Sequence, residues 1–265
     1  ELDPTCAQWM RDAAPWIAKA PGERLRNELA AILADEGASR GFQLLQDLDL
    51  ISQLFPGLPS FDRFPQRCLD GQQRLTVLQR SLPEDLKPLL DAELEDGLPC
   101  RALFLLGLTL GTDLTPAQLE CITQRLKLSR RSSRVLCLVC TWDLPSLPLV
   151  PPVADKPRSR ALWVQDNIPE PLPGMLWLLL KAEPNISTWV IQSLNDYRDF
   201  CRSGRIPDLL DGSQVLQLTG VAQGPALGKL LQQLRFAEIY GTVQTLDDAR
   251  NFVLSRVEKI IDRPG

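Results

Sequence analysis

Two short motifs in this chain have spacings that could carry chemistry. Asp47-Leu48-Asp49 has the D-x-D spacing that can hold metal ions for phosphoryl transfer, and Cys137-Leu138-Val139-Cys140 is a C-x-x-C. Phosphoryl transfer relies mainly on metals and positioning, so its carboxylates follow a glycine-containing loop that seats the phosphates. Asp47 and Asp49 instead lie in a leucine-rich helical stretch with no such loop before them. The cysteine pair lies within Arg134 to Trp142, a helix that reads as buried, and no second pair completes a zinc or redox site. The seven cysteines, Cys6, Cys68, Cys100, Cys121, Cys137, Cys140 and Cys201, are odd in number and scattered, as expected of reduced thiols that pack as small hydrophobes. The chain has no histidine, which excludes Ser-His-Asp and Cys-His catalysis, His-ligated metals and HD-type phosphohydrolase sites. No catalytic residue and no metal ligand is expected.

What remains is binding chemistry. Net charge is −4, so no global basic field points to a nucleic-acid partner. A local bias exists: Arg125, Lys127, Arg130, Arg131, Arg134, Lys156, Arg158 and Arg160 face only Asp143 and Asp155 over the same span. Such a run either tracks a phosphate backbone, releasing counterions at each contact, or forms a solvated face. The acid-rich span from Glu84 to Asp96 is expected on a surface turned away from RNA. Arg24, Arg26 and Glu28 on an early helix contact phosphate or form ion pairs that lock it to its neighbours. Near the end, Gly220-Val221-Ala222-Gln223-Gly224-Pro225 places backbone N–H groups at a helix start, with Lys229 one turn on, a geometry that suits an anion. Alternatively, its glycines only make turns. The candidate RNA-binding residues are Arg24, Arg26, Lys127, Arg130, Arg131, Arg134, Gly224 and Lys229.

The elements that must position them are helices. Leu, Ala, Gln and Arg outnumber Val, Ile, Thr and Tyr, and no alternating strand-length segment stands out. Hydrophobic residues at 44% and charged residues at 23% are ordinary for a globular protein, and no apolar run reaches membrane-spanning length. Thr5 to Ala20 reads as a helix with Trp9, Ala13, Trp16 and Ile17 on one face. Glu23 to Ala34 follows, with Leu25, Leu29, Ile32 and Leu33 in a 3.6-residue stripe and Arg24 paired to Glu28. Ser39 to Gln53 is a third, with Leu44, Leu45, Leu48 and Ile51 inward. Ala102 to Gly111 is apolar all round. Thr115-Pro116 starts a helix to Leu126, and Ser129 caps the next. Eight prolines between Pro145 and Pro173 forbid long helices there, leaving an irregular connector with a short helix near Arg160 to Gln165. Gly174 to Ala182 and Ser187 to Ser203 follow. Ser213 begins a short helix ended by Gly220, Gly224-Pro225 starts one with Leu227, Leu230, Leu231 and Leu234 inward, and Thr245-Leu246-Asp247-Asp248 opens the last. The organisation expected is 1–60, a helical body at 61–203 with the connector at 143–174, and a small helical domain at 204–265. The fold class is all-α without significant sheet.

Two blocks about 200 residues apart carry a family resemblance. The first is Glu23-Arg24-Leu25-Arg26-Asn27-Glu28-Leu29, followed by Gly41, Leu44-Leu45 and Leu54-Phe55-Pro56-Gly57-Leu58. The second is Gly212, Val215, Leu216, Gly220, Gly224, Pro225, Gly228 and Lys229. In this order they resemble the neck and tail segments of class II tRNA nucleotidyltransferases and related bacterial poly(A) polymerases, with a body pair of helices at Leu114 to Arg131 between them. The resemblance departs at Asp49, where glycine is usual, at Gly57, where glutamate is usual, and at Gln214, where an acid is usual. It implies an elongated array of neck, body and tail helices that holds the acceptor arm and elbow of tRNA in the cytoplasm, with no membrane contact. The family's catalytic head, with its G-[GS] loop and D-x-D, is expected before residue 1 and is not in this sequence. The neck's E-D-x-x-R is missing too: Glu84-Asp85-Leu86-Lys87-Pro88 has Pro where Arg is needed. Mg²⁺ and ATP or CTP would belong to that head, which would be the chain's partner besides tRNA, and the chain alone is expected to be inactive. Glu1 in place of Met points to a fragment or processed chain. The alternative is a head-less helical adaptor in a protein assembly. Product choice among CCA, CC, A and poly(A), and oligomeric state, stay open.

Overall fold

A computed structural model describes residues 3–58, 60–141, 155–181, 184–201 and 206–261. Among these there are fourteen α-helices, one 3₁₀ turn at Lys87–Leu89 and no strand; Glu93 and Pro99 make a single isolated bridge. The helical class is as expected. No helix among the described residues is long and apolar enough to cross a membrane. The chain forms two compact units: Glu1–Leu144 with Leu176–Lys181, and Pro145–Met175 with Ala182–Gly265.

The first unit contains α1 (Pro4–Ile17), α2 (Gly22–Ala34), α3 (Ala38–Asp47), α4 (Ile51–Leu54), α5 (Phe64–Ser81), α6 (Cys100–Leu110), α7 (Pro116–Arg125) and α8 (Arg130–Thr141). Helix α6 is its axis: Leu103, Phe104, Leu105, Leu106 and Leu110 are all buried, as an uninterrupted apolar run demands. It packs between α5 and α8. Gly107 makes the second contact possible, because a Cβ there would lie 2.3 Å from Val139 Cγ1. Phe42 and Phe55 each meet Phe64, with ring centroids 6.3 and 6.2 Å away, which joins α3 and the loop after α4 to the start of α5.

Two expectations for this unit need correction. The inward side of α1 is Ala14, with Ala7 and Ile17 packed on Leu48 and Leu50. Trp9 and Trp16 face outward, 65% and 67% exposed, and Ala13 is exposed with them. An apolar stripe shows that a helix has a face, and the small residues on this one let a neighbour come closer than the tryptophans do. The helix expected over Ser39 to Gln53 breaks into α3 and α4 because Asp49 is left-handed, at φ 55. Leu48 and Ile51 remain buried across the break while Leu44 is 38% exposed. Asp49 stands where the resembling family has glycine, the residue that adopts this backbone most readily, and aspartate is among the few others that tolerate it.

The second unit contains α9 (Pro157–Asn167), α11 (Pro184–Phe200), α12 (Gly212–Thr219), α13 (Pro225–Ile239) and α14 (Leu246–Ile261). Helix α10 (Pro171–Lys181) starts three residues before the expected Gly174, because Pro171 and Pro173 fall in its first turn, where proline forfeits no hydrogen bond. The prolines at 145, 148, 151 and 152 lie outside the described residues. Trp163 meets the Trp189 ring edge-on at 5.2 Å between α9 and α11. Leu210, Val215, Leu227, Leu230, Leu234, Val243, Ala249 and Val253 form the core of the last three helices. The starts of α12 and α14 are set by capping boxes: Asp211 with Gln214, and Thr245 with Asp248, whose N–H groups and side chains satisfy one another.

Replacing Gly107 with alanine forces one methyl into Val139. Overpacking of this kind costs about 1–3 kcal/mol, so Gly107→Ala is expected to lower the thermal midpoint followed by circular dichroism. An unchanged midpoint would mean that α6 and α8 are not this close.

Candidate nucleic-acid interface

Neither of the catalytic-looking spacings forms a site. The Asp47 carboxylate accepts from Gln43 Nε2 at 2.8 Å, and Asp49 accepts from the Ser52 hydroxyl at its carbonyl (3.0 Å) and carboxylate (3.2 Å), with buried Leu48 between them. Asp47 ends α3 and Asp49 lies in the turn to α4. Cys137 and Cys140 are free thiols on α8; burial pushes the Cys140 thiol up to about 12 and raises Cys137 as well, so neither is poised as a thiolate. Among the described residues no three His, Cys, Asp or Glu side chains gather as a metal site.

Two arginines of the first unit tie α1 and α2 to the end of α7. Arg125 donates to the Ile17 carbonyl at the C-terminal end of α1 and, at 3.0 Å, to the Ala20 carbonyl in the turn that follows. Arg26 donates from Nη1 to the Lys127 carbonyl at 2.9 Å, just past α7. A helix C-terminus presents carbonyls with no partner of their own and a negative dipole end, so a guanidinium suits both needs. Gly22 lets α2 approach, since a Cβ there would lie 2.4 Å from the Arg125 carbonyl oxygen and 2.7 Å from Lys127 Cγ. Arg26 is thus half buried and committed to holding Lys127 in place, the locking role left open for it above.

Lys127 itself is exposed and left-handed, at φ 49. Its N–H donates to Gln124 O (3.2 Å) and the Leu128 N–H to Thr123 O (3.0 Å), a Schellman ending of α7 with lysine where glycine is usual. The stem of Lys127 lies over Gly22, and Lys127 and Arg130 are exposed, while Arg24 is exposed on another side of α2. Arg131 is half buried, Arg134 is exposed, and both make further interactions within the fold. No ion pair joins Arg24 to Glu28 among the described residues.

An unexpected participant is Asp96. Its carboxylate accepts from the Ser129 N–H at 2.9 Å and the Ser132 hydroxyl at 2.7 Å, while Ser129 Oγ caps the Ser132 N–H at 3.0 Å. Partial burial pushes the Asp96 carboxyl up, but the hydrogen bonds from Ser129, Ser132 and Leu98 outweigh it and hold the group below the usual carboxylate range. The acid-rich span therefore does not turn wholly away from the basic cluster. Its last acid fills the N-terminus of α8, so an anion approaching there meets arginine side chains and not an open helix end. Local spacing could not reveal this, because the partner lies 33 residues away.

The rest of the basic run does not extend one stripe. Arg158 is bonded to buried Glu238 (2.7 Å) and to the Pro207 carbonyl (2.8 Å), and Arg160 is paired with Asp196 (2.5 Å) and Asp155. Burial pushes the Glu238 carboxyl up, and the Arg158 hydrogen bond only partly opposes this. Arginines this covered require partners, since an unpaired buried charge is strongly destabilising. Only Lys156 of this group stays exposed.

The last site is the α12–α13 hairpin. Gln214, where the resembling family has an acid, completes a capping box: its Oε1 accepts from the Asp211 N–H at 2.9 Å, and the Asp211 carboxylate accepts from the Gln214 N–H at 2.8 Å. Gly220 ends α12 in the left-handed region, at φ 68, so a turn explains it. Turn geometry does not explain Gly224 or Gly228: Gly224 is extended, and a Cβ at either would meet nothing within 4 Å. No side chain caps α13, and Lys229 is exposed one turn in.

With this geometry in hand, comparison with known proteins is specific. Residues 1–61 match the family model described as the probable RNA- and SrmB-binding site of polymerase A. The CC-adding tRNA nucleotidyltransferase of Geobacter sulfurreducens is 27% identical over 260 residues, covering 92% of this chain and 57% of that protein. The fold is that of CCA-adding enzymes: the complex with ATP superposes with TM-score 0.53 at 14% identity, over 99% of this chain and 56% of that one, and a second apo form gives 0.51 at 14% over 97% and 55%. Residues 1–61 are thus similar to a segment described as RNA-binding in polymerase A, and most of the chain is similar in sequence to a CC-adding tRNA nucleotidyltransferase. The chain spans little more than half the length of the relatives it matches.

A left-handed lysine is held at a cost of about 1–2 kcal/mol relative to glycine. Lys127→Gly is therefore expected to keep or raise the melting temperature followed by circular dichroism. A clear fall would mean that the lysine side chain, through its packing over Gly22, contributes more than its backbone strain costs.

Proposed function

We propose that this chain holds tRNA by its sugar-phosphate backbone at two separate places, and that nucleotide addition belongs to the part of the longer relatives that it does not match. The observation that carries the reading is that Lys127 and Arg130, three residues apart, stay exposed at a junction whose carbonyls and helix ends are already satisfied by Arg125, Arg26 and Asp96, with Arg24 exposed on another side of α2. Outward cations suit a polyanion, and phosphate contacts position an RNA without reading its sequence. Arg131 and Arg134 continue the basic run along α8. The uncapped start of α13, with Gly224, Gly228 and Lys229, is the second place, and the open space over both glycines supports close approach from outside. Magnesium and ATP or CTP would act in the unmatched part, for which this chain supplies no carboxylate pair on a loop.

The adaptor reading rests on one observation, the outward Trp9, Met10 and Trp16 on α1. A protein partner covering that face would be displaced by Trp9→Ala and Trp16→Ala with tRNA binding intact.

Reversing Lys127 and Arg130 together should weaken tRNA binding and flatten the dependence of log K on log salt by roughly one unit per lost contact. An unchanged slope would make the pair a solvated face. Lys229→Glu should weaken binding of whole tRNA and spare an acceptor-stem minihelix; equal losses on both RNAs would place that contact elsewhere. In a separate assay with Mg²⁺, labelled CTP or ATP and tRNA lacking CCA, this chain should incorporate nothing above a no-protein control, and incorporation would refute the division of labour.

A further inference from the structure

Helix α13 has three sides. Leu227, Leu230, Leu234 and Ala237 point into the core it shares with α12 and α14. Arg235 and Glu238 turn to α9, through Arg235–Asp166 and Arg158–Glu238 contacts of 2.7 Å each. The third side carries Lys229, Gln232, Phe236 and Tyr240, which recur at helical spacing and are all exposed. Phe236 is 51% and Tyr240 54% exposed. Such rings gain most from burial, and two stand in water on a helix whose other sides are fully used.

The surroundings of these rings say what would cover them. Four residues of helix separate them, so they lie about 6 Å apart along the axis, and Lys229 lies about 10 Å before Phe236. Past the other end, Lys156 donates to the Gly241 carbonyl at 3.4 Å, one residue beyond Tyr240. Asp248 is the acid in the field of Lys156. Two cations and an uncapped helix start thus bracket two aromatic faces, with glutamine between. A protein partner calls for a contiguous apolar patch with charge at its rim. Isolated rings between cations match a strand of phosphates that carries flat bases, where stacking is strong and tolerant of sequence.

We propose that this face of α13 stacks exposed nucleobases of a folded RNA on Phe236 and Tyr240, while Lys229 and Lys156 take the flanking phosphates. The proposal rests on the tRNA-binding reading and adds a base-stacking contact to it. The test is an anisotropy titration of the 265-residue chain with an unmodified tRNA transcript at several salt concentrations. Phe236→Ala and Tyr240→Ala, each with an unchanged melting curve, should weaken binding roughly tenfold and leave the salt slope as it was, because stacking releases no counterions. Phe236→Trp should bind like the parent and Phe236→Leu should bind as weakly as the alanine variant. Parental affinity in the alanine variants, or full rescue by leucine, would overturn stacking. If Lys229→Glu alone weakens binding, the phosphate reading stands without this addition; if the parent chain binds no tRNA, both readings fall.

Discussion

Two arginines each hold the end of a helix other than their own. Arg125, at the end of α7, closes carbonyls at and just past the end of α1, and Arg26, on α2, closes the carbonyl of Lys127 beyond α7. Carbonyls at a helix end that are covered by neighbouring chain must find donors, and a fork of N–H groups with a positive charge meets this need better than any neutral side chain. Gly22 is what allows the closure, because any larger residue would strike the Arg125 carbonyl. The outward direction of Lys127, the start of α8 at Ser129 and the placement of Asp96 all depend on this junction. Positive charge here therefore has two duties: the inner guanidiniums fix the geometry, and the outer groups are displayed by it.

The second unit uses the same principle at greater burial. Arg158 and Glu238 are both largely removed from water, and Arg160 is covered between Asp155 and Asp196. Removal of one member of such a pair costs about 3–5 kcal/mol, although the pair as a whole adds little. What it contributes is orientation. With Glu238 and Arg235 drawn toward α9, and the leucines drawn toward α12 and α14, the remaining direction of α13 is determined for Lys229, Phe236 and Tyr240.

Features whose partners are near in sequence were legible in the sequence. Thr115-Pro116, Ser129 and Thr245-x-x-Asp248 act within one helical turn, and each starts its helix as read. The inward leucines of α13 follow from period alone. Features whose partners are distant were not. The stripe of Trp9, Ala13 and Trp16 was visible, but which side of α1 is covered depends on Leu48 and Leu50. Positive charge between Arg125 and Arg160 could be counted, yet Arg158 is neutralised by Glu238, 80 residues on, and Arg160 by Asp196, 36 residues on. Of the site, Lys127, Arg130 and Lys229 were legible as exposed cations, whereas the plug formed by Asp96 was not. The left-handed Asp49 that splits α3 from α4 was not read: the stretch from Ser39 to Gln53 has a continuous helical period, and a single residue's φ leaves no periodic signal.

Gly228 sits inside α13 with open space where a side chain would project. Glycine within a helix is about 1 kcal/mol less favourable than alanine, and nothing inside the molecule offsets that loss. The helix is thus less stable than a single methyl group would make it, at the one turn where Gly224, Gly228 and Lys229 come together. Any scheme that ranks substitutions by folding free energy alone would fill this position first. Thermostability and access of a ligand backbone are then opposed at residue 228, so a hardened variant of this protein is best engineered away from the first turns of α13.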